Sequence, residues 1–203
     1  VREGQLLPEV KNMMFLNKGW HTEVNYDWPF IRKVWMKYWD QRKAILMDKS
    51  NTNIMRVNKV KEVFDNAVFL AMVRNPYAQV EGIMRRNGAT AEYAAKFALK
   101  CLRYQKQNKL SEKENILFTS YEELCDTKYE VVEKIKKFIP EIGNIDSDLE
   151  FSAHNFKTDG KMKIQNLNKE KIKKINKENM VIINTYFNKE MDLLEFFGYS
   201  IIE

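Results

Sequence analysis

Ala67-Val68-Phe69-Leu70-Ala71-Met72-Val73-Arg74-Asn75-Pro76 is the most apolar stretch of the chain, and it ends in a cation, a cap and a proline. Seven apolar residues without polar alternation predict a strand over 67–73, buried on both faces. Asn75 and Pro76 predict an immediate helix start, with the amide as N-cap and the proline as first helical residue. Toward the N-terminus, the short apolar run 44–47 predicts another strand. Residues 51–64 then read as a helix, with Ile54, Val57, Lys61 and Phe64 at three- and four-residue steps. Residues 28–42 carry Ile31, Trp35 and Trp39 on one helical row, with Asp27 as N-cap and Pro29 in the first turn. Toward the C-terminus follow an Ala-rich helix over 90–107, a strand over 115–119, and a helix over 128–139 closed by Pro140. Residues 141–166 read as irregular. Two terminal helices are expected over 168–176 and 178–197, with Gly198 as C-terminal cap. Apolar strands alternating with helices predict an α/β fold: a parallel β-sheet flanked by helices, with a helix-rich C-terminal part.

The 203 residues are 44% hydrophobic and 31% charged, enough for a full core in a single domain over 1–203. No run approaches the roughly 20 apolar residues of a membrane span, and no basic end leads into an apolar stretch as in a secretory signal. A cytoplasmic location is the expectation. Cys101 and Cys125 cannot make a disulfide scaffold, and with only His21 and His154 beside them no metal site is expected. Net charge is +6, and much of the excess sits in the lysine-rich segment 157–177. Such a segment is either a solvated helix face or a site for phosphate-bearing anions. It has no aromatic residue between Phe156 and Tyr186, so bases have nothing to stack on, and no nucleic-acid partner is expected. Oligomeric state is not legible.

Parallel α/β sheets bind ligands beyond the carboxyl ends of their strands. That rule points to Asp48-Lys49-Ser50, Arg74-Asn75-Pro76 and Ser120-Tyr121-Glu122. Arg74 ends a strand beside the open N–H groups of a helix start, where a guanidinium can grip a phosphate with two parallel bonds. The plainer alternative is a salt bridge at the strand end. Lys49 is either a second cation at the ligand edge or a surface lysine. Tyr121 either stacks on a base or covers the core. The Trp20, Trp28, Trp35 and Trp39 cluster reads as packing, with an acceptor-binding wall as the alternative.

The order Asp48-Lys49-Ser50, Phe64-x-Asn66-Ala67-x-Phe69-Leu70-x-x-Val73-Arg74-Asn75-Pro76, Ser120-Tyr121-Glu122-Glu123-Leu124 and Phe138-Ile139 resembles the sulfotransferases that use 3′-phosphoadenosine 5′-phosphosulfate (PAPS). It is most similar to the Golgi-type and bacterial branches that include the tyrosylprotein sulfotransferases. The resemblance implies a P-loop-NTPase-like sulfotransferase fold and transfer of a sulfonate group from PAPS to a hydroxyl or amine acceptor, leaving 3′-phosphoadenosine 5′-phosphate (PAP) and needing no metal. It implies that Arg74 holds the cofactor's 3′-phosphate, that Tyr121 lies near the adenosine and that Lys49 approaches the transferred sulfonate. Gly82 stands where the family usually has a serine sharing the 3′-phosphate, so helix N–H groups or Arg85 and Arg86 would have to serve instead. Lys157, Gly160 and Lys161 occupy the loop that wraps this phosphate again. Glu3 resembles the general base of the tyrosylprotein branch, with His21 as the second candidate. The family's first strand and its phosphosulfate-binding loop are expected before residue 1, since no Gly-rich phosphate cradle follows it. The acceptor is expected to be a small-molecule, carbohydrate or peptide hydroxyl. Two other readings stay open: a nucleoside-phosphate kinase-like P-loop enzyme, and a non-catalytic basic protein that binds nucleic acid or other anions.

Overall fold

The computed structural model describes residues 3–16, 20–21, 24–150 and 161–203. The chain forms two compact units, Val1–Phe69 and Leu70–Glu203. In the first unit, α1 (Trp28–Tyr38) starts as its sequence demands: Asp27 Oδ1 accepts from Phe30 N at 2.9 Å, and Pro29 fills the first turn. The helix buries Ile31, Val34 and Trp35, one row at three- and four-residue spacing. Full burial of each aliphatic side chain contributes about 1.5–3 kcal/mol. These residues join Leu7, Val10, Met14, Tyr26, Trp28 and Val60 in one cluster. Trp35 stacks on Phe64 at 6.0 Å and meets Trp39 edge-on at 5.6 Å, so these tryptophans serve packing. Gly4 is required by that packing, because a Cβ there would lie 2.5 Å from the Trp35 indole.

Two expectations for this unit, and one for the strand that follows it, are corrected. Residues 44–47 form no strand: the segment has no ladder among the described residues, and the Met47 carbonyl accepts from the Trp39 indole N–H at 3.2 Å instead. Apolarity over four residues fixes neither burial nor pairing: Met47 is 70% exposed, and a strand needs a paired neighbour. The helix expected over 51–64 is two pieces, a 3₁₀ turn at Asn51–Met55 and α2 (Val57–Val63). Arg56, at φ −127° and ψ 8°, interrupts them. The strand expected over 67–73 is β1 (Phe69–Val73), but it is not buried on both faces. Leu70 and Met72 are 49% and 45% exposed, and Val68 just before it is 44% exposed.

In the second unit, β1 pairs in parallel with β2 (Ile116–Ser120), a two-stranded sheet among the described residues. Asn75 caps α3 (Pro76–Asn87), its Oδ1 accepting from Tyr77 N at 3.0 Å. Thr90 caps α4 (Ala91–Ser111), the longest helix. Ala91, Ala94, Ala95 and Ala98 line one face of α4, and their small side chains let α3 and α8 (Lys177–Phe187) pack closely against it. Ile183 and Phe187 of α8 and Tyr77 and Val80 of α3 are fully buried in that core. After β2 come α5 (Tyr121–Asp126), closed by a Ser120–Glu123 capping box, and α6 (Lys128–Phe138). The terminal helices are shorter than expected: α7 spans Asn168–Ile172, and the run after α8 breaks into a 3₁₀ turn and α9 (Met191–Glu195). Gly198, at φ 76°, ends the last helix, and Tyr199 N returns to the Leu194 carbonyl at 3.0 Å. Among the described residues no helix is long and apolar enough to cross a membrane.

Candidate functional site

The second unit gathers its polar side chains where β1 and β2 end. Arg74 follows β1 directly, and Tyr121 and Glu122 follow β2. The Arg74 guanidinium lies over the Tyr121 ring, 3.9 Å from its centroid. Its Nε donates to Asn168 Oδ1 at 2.7 Å. Its Nη2 is buried and has no partner among the described residues. An unsatisfied buried donor on a cation costs about 1–3 kcal/mol, so this edge of Arg74 is a standing demand for an anion. Glu122 organises the surroundings: Oε1 accepts from Asn75 N at 2.9 Å and from Asn168 Nδ2, and Oε2 accepts from the Tyr199 hydroxyl at 3.1 Å. Burial, with the Glu122 carboxylate beside it, raises the Tyr199 pKa above the ordinary tyrosine range. The Tyr121 hydroxyl donates to the Gln165 carbonyl at 2.7 Å and accepts from Leu167 N at 3.2 Å. One face of the Tyr121 ring is taken by Arg74.

Gly82 is buried inside α3, and its carbonyl accepts from Arg86 Nε at 3.0 Å. Arg85 pairs with the buried Glu81 at 3.0 Å, and Lys171 reaches the other Glu81 oxygen at 3.3 Å. The basic pair expected to replace the missing serine is thus engaged within its own helix. Lys161, Lys169, Lys173, Lys174 and Lys177 are exposed, a solvated face. Lys157, Gly160 and His154 lie outside the described residues.

The first unit brings together two candidates 46 positions apart. Lys49 Nζ pairs with Glu3 Oε1 at 3.2 Å. A hydrogen-bond chain stands behind Glu3. Arg56, buried and without a choice but to donate, gives Nη1–H to Thr52 Oγ1 at 2.8 Å. Thr52 must then donate onward, to Gln5 Oε1 at 2.6 Å, which turns the Gln5 amide nitrogen toward Glu3 Oε2 at 3.3 Å. The guanidinium thus sets the polarity of the whole relay. His21 is exposed. Sequence reasoning missed Asn168, Gln5, Thr52 and Arg56. Glu122 stood in a quoted motif without a role.

A surface groove of about 800 Å³ lies between α4 and residues 188–193, lined by Arg103, Lys106, Leu110 and Lys189; no candidate residue lines it. Neither curated proteins nor solved structures give a significant match to the chain. A model of the sulfotransferase family matches residues 20–140, more than half of the 203. The matched segment holds Lys49, Arg74, Gly82 and Tyr121 in the expected order. With cations after the segments that end at Met47 and Val73 and a Tyr-Glu-Glu-Leu turn after β2, the chain belongs to the sulfotransferase family, sulfonate-transferring enzymes of P-loop-like α/β fold.

Proposed function

We propose that the protein transfers a sulfonate from PAPS to a hydroxyl or amine acceptor, and that Arg74 is the 3′-phosphate ligand. The observation that carries this reading is the buried, partnerless Nη2 of an arginine whose plane is already fixed by Tyr121 and Asn168. A phosphate oxygen fits that edge in charge and in hydrogen-bonding sense. When bound, the donor supplies a sulfonate at which the acceptor oxygen displaces the leaving phosphate in line. Lys49 contributes a compact cation for charge on the transferring group. Glu3 accepts the acceptor's proton, its second oxygen held by Gln5. The exposed Val68, Leu70 and Met72 support a further part of this reading, a strand and phosphosulfate loop beyond residues 1–203 that would cover this apolar face. The free Cys101 and Cys125 support a reducing, cytoplasmic setting.

Thermal unfolding with PAP tests the reading. A ligand at 100 times its dissociation constant adds about 2.7 kcal/mol, and Arg74→Ala should remove the shift. Equal shifts from PAP and adenosine 5′-phosphate, or a PAP shift that survives Arg74→Ala, would overturn it.

A further inference from the structure

We propose that Asn168, held by Glu122, is a positioning residue that pre-sets Arg74 for an incoming phosphate. This rests on the reading of Arg74 above and deepens it. A guanidinium only donates hydrogen bonds and a carboxylate only accepts them. With Glu122 so near, the simplest arrangement is a two-bond pair between the carboxylate and Arg74, which would consume the edge a phosphate needs. The structure has another arrangement. Asn168 stands between the two, its Oδ1 accepting from Arg74 Nε and its Nδ2 donating to Glu122 Oε1. An amide is the group that can face both, because it carries an acceptor and donors side by side. Glu122 is held in turn by Asn75 N and the Tyr199 hydroxyl. Asn168 therefore does two things. With Tyr121 it fixes the guanidinium plane, and it keeps the carboxylate off Nη2. Asn168 is 8% exposed and opens α7, and both it and Tyr199 lie beyond the matched residues 20–140. The C-terminal segment thus completes a site that the family motifs only begin.

Calorimetric titration of the full chain with PAP tests this. Asn168→Ala should weaken binding roughly ten- to a hundredfold while circular dichroism stays native. Once Asn168 is gone, Glu122 can turn onto Arg74, so Asn168→Ala with Glu122→Gln should bind more tightly than Asn168→Ala alone. A residue of merely structural value predicts the reverse, a double variant no better than the single. Wild-type affinity in Asn168→Ala overturns the inference, and if Arg74→Ala still loses affinity the cofactor reading stands. Wild-type affinity in Arg74→Ala removes both. Should Asn168→Ala not fold, the Arg74 Nε–H resonance of ¹⁵N-arginine-labelled protein, assigned through Arg74→Lys, decides. It should exchange slowly both before and after PAP is added. Slow exchange only after addition would mean that Arg74 is not pre-set.

Discussion

Arg56 and Arg74 each lie over a tyrosine ring, at 4.9 Å from Tyr26 and 3.9 Å from Tyr121, and they are used in opposite ways. Arg56 spends both Nη groups inside the first unit, on Thr52 Oγ1, the Met14 carbonyl and the Tyr26 hydroxyl. All three acceptors are neutral, and burial pushes the Arg56 pKa down. Arg74 spends Nε on Asn168 and leaves Nη2 without a partner, with a carboxylate held one amide away. A guanidinium whose two Nη groups are both taken up by protein acceptors braces a fold. One whose Nε is held and whose buried Nη2 has no partner among the described residues still has a donor to give to an acceptor that arrives.

The largest expected effect breaks this comparison at its structural half. Arg56→Met removes one donor side chain and strands Thr52, the Met14 carbonyl and the Tyr26 hydroxyl in a buried place. The cost should be about 3 kcal/mol in denaturant unfolding. Arg74→Met, by contrast, removes an unsatisfied donor together with one good bond and should change stability by less than about 1 kcal/mol. Equal losses from the two substitutions would mean that both arginines are structural, and the functional reading of Arg74 would lose its physical basis.

What could be read from the sequence follows the reach of each interaction. Asp27, Asn75, Thr90 and Ser120 cap helices through bonds three residues or fewer along the chain, and Asp27-x-Pro29 and Asn75-Pro76 announced their helices. Arg74, Lys49 and Tyr121 were legible because each stands one to three residues after an apolar run. Their partners were not. Asn168 lies 94 residues from Arg74 and Gln5 lies 47 from Thr52, so only the tertiary fold introduces them. The same distinction explains 44–47 and 67–73. Apolarity is local, whereas ladder pairing and the exposure of Leu70 and Met72 depend on what lies opposite. Of the adjacent Glu122 and Glu123, Ser120-x-x-Glu123 has the local spacing of a capping box, which Glu123 closes, whereas nothing local points to Glu122 holding the Arg74 cluster.

A smaller effect separates the two regions by pH. In the Arg74 region, Tyr199 gives its hydroxyl to Glu122. Tyr199→Phe should cost about 1–2 kcal/mol at neutral pH. Because the fold raises the Tyr199 pKa, the folded protein keeps this proton where the unfolded chain loses it. The contribution is complete below the ordinary tyrosine value of about 10 and falls as pH rises beyond it. The stability gap between wild type and Tyr199→Phe should therefore narrow as pH rises beyond about 10. A constant gap would show that the hydroxyl bond adds nothing specific to Glu122.

The smallest effect asks whether the Arg74 edge has a second wall. Gly82 lies inside α3, where glycine weakens a helix by about 0.5–1 kcal/mol relative to alanine. A Cβ at this position would meet only the Arg86 Nη2, at 3.8 Å, which is ordinary contact. Nothing steric therefore demands the glycine, and Gly82→Ser should raise stability by about 0.5 kcal/mol in the absence of nucleotide. If the hydroxyl also meets the phosphate held by Arg74, PAP affinity should rise roughly five- to tenfold, one neutral hydrogen bond's worth. The two readouts are independent, since helix propensity acts on the empty protein and the hydroxyl acts only on the complex. A stability gain with unchanged PAP affinity would place the phosphate away from this turn of α3, and leave Arg74, set by Asn168, as its ligand without help from that position.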